Sequence, residues 1–302
     1  MEINFIRILF IFAAIFTGIV GFLLNFVEPY LPVALTRAYR YGKFSDNTYQ
    51  PIVMKAELPK RWFKHFYIFA APASSYALYL VLYKYLWKGD ISKNVLWVLN
   101  ICLGTNRQPL VSPENTFAAA LLITLHSWKR FYETHYVNIF SNKMMNIAHY
   151  IIGFYHYVGI IISIIGESEG FVEGSEGYFS YKKITYIQII CGAIIIVSSY
   201  VQLEANYILS SLRKDKNGEM NSAVYKIPHG GLFEYVSGAL QLTEIIIYIT
   251  MSVILWQSST FHYATMWVLV NQISTAVLTH KWYTKTFQHY PQFRKILLPY
   301  IF

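Results

Sequence analysis

The chain has 302 residues, 55% of them hydrophobic and 18% aromatic, and only 14% charged, against about 25% charged in an average soluble domain. This balance excludes an ordinary water-soluble domain and points to an integral membrane protein. The formal net charge of +9 comes from basic residues beside apolar runs rather than from a separate basic domain, which argues against nucleic acid as a partner.

Runs of about 20 mainly apolar residues are long enough to cross a bilayer as helices. In chain order they are Phe5 to Leu24, Phe66 to Leu86, Thr116 to Tyr136, Ile147 to Ile165, Ile184 to Leu203, Leu232 to Trp256 and Tyr263 to Thr279. The predicted fold class is all-α, a polytopic membrane protein of about seven transmembrane helices in a single domain, 1–302. Within the first run Arg7 precedes an h-region-like stretch, as in a signal peptide, but no convincing small-x-small cleavage site follows, so the run reads as a span. The third run is apolar from Ala118 to Leu125 and then carries His126, Lys129, Arg130 and Glu133. Val95 to Leu103 is too short to cross. The longest connection, residues 25–65, holds Pro29, Pro32, Pro51 and Pro59 among aromatics.

Basic residues crowd alternate connections. Arg37, Arg40, Lys43, Lys55, Lys60, Arg61 and Lys64 crowd the first connection, Lys129, Arg130 and Lys143 lie at the third, Arg213, Lys214, Lys216 and Lys226 in the fifth, and Lys281, Lys285, Arg294 and Lys295 in the tail. With seven spans these share one side, and the positive-inside bias makes it the cytoplasm, C-terminus included. The connection with Glu167, Glu169, Glu173 and Glu176 faces away. Cys102 and Cys191 stand apart with no CxxC, so neither a disulfide framework nor a metal site is expected.

Ionisable groups within such runs cost about 2.5–3.5 kcal/mol each at a helix centre and are functional candidates for that reason. His126, Arg130 and Glu133 recur at i, i+4 and i+7, on one face of a helix. The stripe could bind a phosphate and donate a proton, or its cations could snorkel as anchors. Gln202, Asn206 and Arg213 form a second strip if the fifth helix continues past Leu203. Neutral amides suit a nicotinamide carboxamide or ribose, and Arg suits phosphate through its planar fork; the alternative is a helix end dissolving into solvent. Glu234 reads as a carboxylate offsetting a helix macrodipole. Glu244, between Gln241 and Tyr248, lies too deep for that. The Gly230–Gly231 pair permits close backbone approach to a ligand. His280 and Tyr283 share a face beyond the last span and could close over a cofactor or sit at headgroup depth. No GxGxxG, G-x-S-x-G, H-E-x-x-H or di-iron histidine box occurs, so a nucleotide cofactor would need an all-helical pocket.

Together the segments LPKRWFKHFY (58–67), LHSWKRFYE (125–133), SLRK (211–214), YKIPHGGLFEYVSGA (225–239) and the closing THKWYTKTFQHYPQFRKILLPYIF resemble the steroid 5α-reductase family, in particular its branch acting on polyprenoid lipids. The resemblance covers most of the chain and is strongest over about 125–302, the segment it marks as the NADPH-binding catalytic region. It implies an endoplasmic reticulum membrane enzyme that uses NADPH to reduce a carbon–carbon double bond conjugated to a carbonyl, in dolichol synthesis and hence protein N-glycosylation.

By the same resemblance Glu57, before Leu58-Pro59, matches the carboxylate that polarises the substrate carbonyl. Arg130, Gln202, Asn206, Arg213, Glu244, His280 and Tyr283 match cofactor-contacting or supporting positions. Steroid-reducing members have His-Tyr where this chain has His126-Ser127, which speaks against a steroid and leaves Glu57, His126 or a water on Ser127 as proton donor. Hydride adds to an alkene only where a carbonyl can accept the charge, so the expected substrate is a polyprenal entering from the bilayer rather than the alcohol. A trans-2-enoyl-CoA or 3-oxo-steroid reductase, an isoprenylcysteine-type membrane methyltransferase and a lipid transporter are the competing readings. No obligate protein partner is evident.

Overall fold

The structure is a computed structural model that describes residues 2–40, 44, 49–214 and 225–302. Lys43 and Lys216, two of the orienting basic residues, lie outside the described residues. The described chain forms the helices α1 (Phe5–Phe22), α2 (Val33–Tyr39), α3 (Pro51–Met54), α4 (Lys64–Tyr85), α5 (Lys93–Leu103), α6 (Pro113–Tyr132), α7 (Ile147–Ile165), α8 (Tyr186–Ser211), α9 (Ala239–Ile254) and α10 (Phe261–Thr286). Two three-residue strands, β1 (Glu57–Pro59) and β2 (Met144–Asn146), pair antiparallel with Glu57 opposite Asn146.

Each of the seven apolar runs coincides with a helix: α1, α4, α6, α7, α8, α9 and α10. Four helical stretches, Phe5–Tyr30, Lys60–Tyr85, Ile147–Ile165 and Tyr186–Ser211, are long and apolar enough to cross a membrane. The other three fall short of that pattern. α9 has 16 residues, and α6 and α10 carry polar side chains such as Glu114, His126, Gln272 and His280. The sixth run also begins later than its hydropathy suggests, because residues 231–234 form a 3₁₀ turn and α9 starts only at Ala239.

Local chemistry explains several helix starts. The side chains of Asn4 and Asn146 accept from the N–H groups of Arg7 and Ala148, both at 2.9 Å, satisfying donors that the first turn leaves unpaired. α1 packs along α10, α4 along α6 and α7, and α8 along α9. Gly21 makes the first of these contacts possible, since a Cβ there would lie 2.4 Å from Ser274 Oγ. Phe10, Ile160, Tyr248, Met251 and Phe261 belong to the main core.

Two polar clusters close opposite ends of the bundle. At one, the buried Glu167 accepts from Ser258 Oγ and Ser259 N (2.8 Å each) and from Thr260 Oγ1 (2.9 Å), while Arg107 donates to the carbonyls of Gly166 and Phe171. At the other, Arg294, 1% exposed, donates to Pro228 O at 2.8 Å and reaches Glu234 at 3.5 Å. Ser237 N and Lys295 N bond across the same seam to Lys295 O and Tyr235 O. The HGG segment and the chain's closing segment therefore hold each other.

This corrects two expectations. Glu234 ends the 3₁₀ turn, five residues before α9 begins, and accepts from Gly230 N at 2.5 Å; that bond above all, with Arg294 and His229 beside it, holds its carboxyl below the ordinary value. Gly230 and Gly231, at φ of 94° and 51°, turn the chain, and what approaches Gly231 is Glu204, 3.0 Å from a Cβ placed there, not a ligand-lined surface. Arg294→Met would leave the Pro228 carbonyl buried without its donor, at a cost of about 1–3 kcal/mol. A clear fall in the melting temperature of the detergent-solubilised protein is the expected result, and an unchanged one would remove Arg294 from this role.

Candidate functional site

α8 continues well past Leu203, to Ser211, so Gln202 and Asn206 lie on one buried face with Arg213 just beyond its end. That strip borders two cavities. The first, about 330 Å³, is lined by residues of the 25–65 connection, α8, the loop before α9, and α10; they include Asn206, Arg213, Tyr225, Asn271 and Tyr283. Among the described residues its lining holds four basic side chains, Arg40, Lys60, Arg213 and Lys226, and no acidic one. Arg213 donates to Ile139 O, which fixes the side chain along the wall. Burial pushes the Tyr225 phenol up, against the opposing effect of the Arg213 charge.

The second cavity, about 460 Å³, lies between α1, α2, α4, α7 and α10. Phe16, Val20, Phe66, Ile152 and Trp267 give it apolar walls, and Tyr67, Arg130, Tyr157, Gln202 and Glu244 a polar end. Tyr39, His149, Leu240, Gln241 and Asn271 line both cavities, which sets the two side by side. Cavities of this size are typical of small-molecule sites.

A buried network stands behind the polar end. Gln202 Nε2 donates to Glu244 Oε2 at 2.6 Å, and Lys129 donates to Gln202 Oε1. Glu133, fully buried, pairs with Lys129 at 2.9 Å and Arg130 at 2.5 Å. His126 Nε2 lies 3.7 Å from Glu244 Oε1, an electrostatic contact beyond hydrogen-bond length. Two cations thus face two carboxylates, the balance that buried charge requires.

Of the ten residues singled out from sequence, Arg130, Gln202 and Glu244 line the apolar cavity, and Asn206, Arg213 and Tyr283 the basic one. His280 lines neither but its Nδ1 is 2.7 Å from Ser237 Oγ, a residue that does. His126 and Ser127 are buried in α6, and neither borders a cavity. Glu57 is also off both; Arg37 engages its two oxygens, Nε to Oε1 at 2.9 Å and Nη2 to Oε2 at 3.1 Å. Sequence reasoning missed Tyr67, Tyr157 and His156, whose Nε2 is 2.9 Å from Tyr248 OH. Tyr67 lies inside the 58–67 motif and His156 about two helical turns from His149, yet neither has a sequence neighbour that marks it.

The donor set suits a phosphate-bearing nucleotide. Arg213, Lys60 and Lys226 with the amides of Asn206 and Asn271 would meet phosphates and ribose, and Gln202, Gln241 and Glu244 the opposite end. Fold and site define a helical membrane protein in which a cavity with basic walls adjoins an apolar chamber. Residues 144–302 match the family described as 3-oxo-5-alpha-steroid 4-dehydrogenase. The chain is 36% identical to a polyprenal reductase of Drosophila melanogaster, over 93% of this chain and 88% of that one. It is 32% identical to one from Caenorhabditis elegans (86% and 85%) and 30% to one from Homo sapiens (87% and 84%). The chain belongs to the 3-oxo-5-alpha-steroid 4-dehydrogenase family and is an oxidoreductase acting on CH–CH groups.

Proposed function

We propose that this chain reduces the α-isoprene double bond of a polyprenal, giving dolichal, with NADPH as reductant. The observation that carries the reading is that a cavity walled by basic side chains adjoins one walled by apolar side chains, with Gln241 and Asn271 lining both beside the Gln202–Glu244 pair. When bound, NADPH supplies a hydride. The chain's own part is to hold phosphates on Arg213 and Lys60, to orient the carboxamide end against the amides of Gln202 and Gln241, and to keep water from the reacting carbons with Phe66, Ile152 and Trp267.

An isoprenoid tail is accommodated from the lipid side. Phe16 and Leu35, which line the apolar cavity, are 50% and 38% exposed, and this wall is the one that would open to the bilayer. Seven crossings with the basic cavity toward the cytoplasm, in the endoplasmic reticulum membrane, fit the same arrangement. The basic lining comes from the two connections assigned to one side, and the Glu167 cluster joins segments assigned to the other.

Glu57 acts in this reading through α2. Its pairing with Arg37 anchors the helix whose Leu35, Ala38 and Tyr39 wall the apolar cavity. Glu57→Gln is expected to raise KM for polyprenal severalfold and to change kcat little; a lost kcat at unchanged KM would instead place the carboxylate on the substrate carbonyl. The reading as a whole is tested by offering purified protein NADPH with polyprenal, polyprenol, a trans-2-enoyl-CoA or a 3-oxo-4-ene steroid. Turnover of the aldehyde is expected, and turnover of the alcohol alone would overturn the substrate assignment.

A further inference from the structure

The structure assigns the proton-donating role toward the substrate carbonyl to Tyr67, an assignment that rests on the proposed reduction of polyprenal. Three observations carry it. Ser127 and His126 do not border the apolar cavity, whereas Tyr67, on α4, does. Arg130 Nε donates to the Tyr67 oxygen at 3.1 Å and its guanidinium lies 5.1 Å from the ring centroid, a contact that uses the oxygen's lone pair and not its hydrogen, and a phenolate there would be met by a fixed cation. Tyr157 stands edge-on to Tyr67 with ring centroids 5.4 Å apart, which fixes the ring among packed neighbours Phe63 and Phe66.

The step balances. Hydride arriving at the β-carbon moves the alkene pair into the bond between the α-carbon and the carbonyl carbon, and the carbonyl pair onto oxygen. Tyr67 gives its hydroxyl proton to that oxygen, forming the enol and a phenolate beside Arg130. A solvent proton then adds to the α-carbon as the enol O–H returns its proton to Tyr67, and the saturated aldehyde leaves. Net consumption is one hydride and one proton. A donor aimed at the developing negative oxygen acts as an oxyanion-hole group does, and losing one such donor lowers kcat by about 10²–10³-fold.

Purified Tyr67→Phe would be compared with wild type and with Tyr79→Phe, whose ring stacks on the exposed face of α4. The expected result is a fall in kcat of about 10²–10³-fold, with NADPH affinity by fluorescence titration and KM for polyprenal within about threefold of wild type, and no change in Tyr79→Phe. Wild-type kcat in Tyr67→Phe overturns the assignment. Should that variant lose NADPH binding, 3,5-difluorotyrosine at position 67 keeps the shape while making the phenol more acidic; a changed kcat supports the donor role and an unchanged one overturns it. Inactive wild type would instead strike at the polyprenal reading itself, so the two failures are distinguishable.

Discussion

Glu244→Ala is expected to lower stability by about 3–5 kcal/mol, the cost of removing one partner from a buried charge pair, and to abolish measurable turnover. The reason lies in the balance of charge around it. With Glu244 gone, Lys129 and Arg130 face Glu133 alone, and Gln202 Nε2 loses its acceptor at 2.6 Å. Glu244→Gln keeps the shape but not the charge, and it is expected to destabilise too, because an amide cannot offset Arg130. Pairing it with Arg130→Gln should recover part of the loss, since the double variant removes one charge of each sign. Thermal unfolding of the four proteins in detergent forms a double-mutant cycle. Additive losses would show that the two side chains do not sense each other and would dissolve the network described above.

Arg213→Ala is expected to raise the half-saturating NADPH concentration by about 10–100-fold, the loss of one charge-assisted contact worth about 1.5–3 kcal/mol, with kcat at saturating cofactor nearly unchanged. The guanidinium sits on the wall of the basic cavity, held by the Ile139 carbonyl, far from the Gln202–Glu244 end where chemistry is placed. Raising salt should reproduce part of the effect in wild type by screening the same charges. An Arg213→Ala enzyme with the wild-type NADPH requirement would remove the phosphate role from this residue.

Much of the helical frame is legible in the chain because length and hydropathy are local properties: all seven apolar runs became helices. What local patterns do not carry is where an apolar run stops being helix, as at Leu232, where the turn 231–234 and the pairing of Ser237 with Lys295 displace the start of α9 to Ala239. The partner responsible lies far along the sequence, in the closing segment. The β1–β2 pair is invisible for the same reason, being three residues long and joined across most of the first half. Within the site, the Gln202, Asn206 and Arg213 strip is readable because a helix repeats at three to four residues. Tyr67 and Tyr157 are two of 26 tyrosines, and only the packing of α4 against α6 and α7 brings them to the cavity. Glu57 shows the reverse case: its motif stands out, while its carboxylate pairs with Arg37, 20 residues earlier, and is not among the residues lining the chamber.

The most direct measurement is where deuterium appears in the product when polyprenal is reduced with NADPH deuterated at the transferring position. One deuterium at the β-carbon of the α-isoprene unit, with the aldehyde intact, is the expected result of a nicotinamide seated beside Gln202 and Glu244 and a carbonyl held at Tyr67. Deuterium at the carbonyl carbon, in an alcohol whose double bond survives, would contradict it.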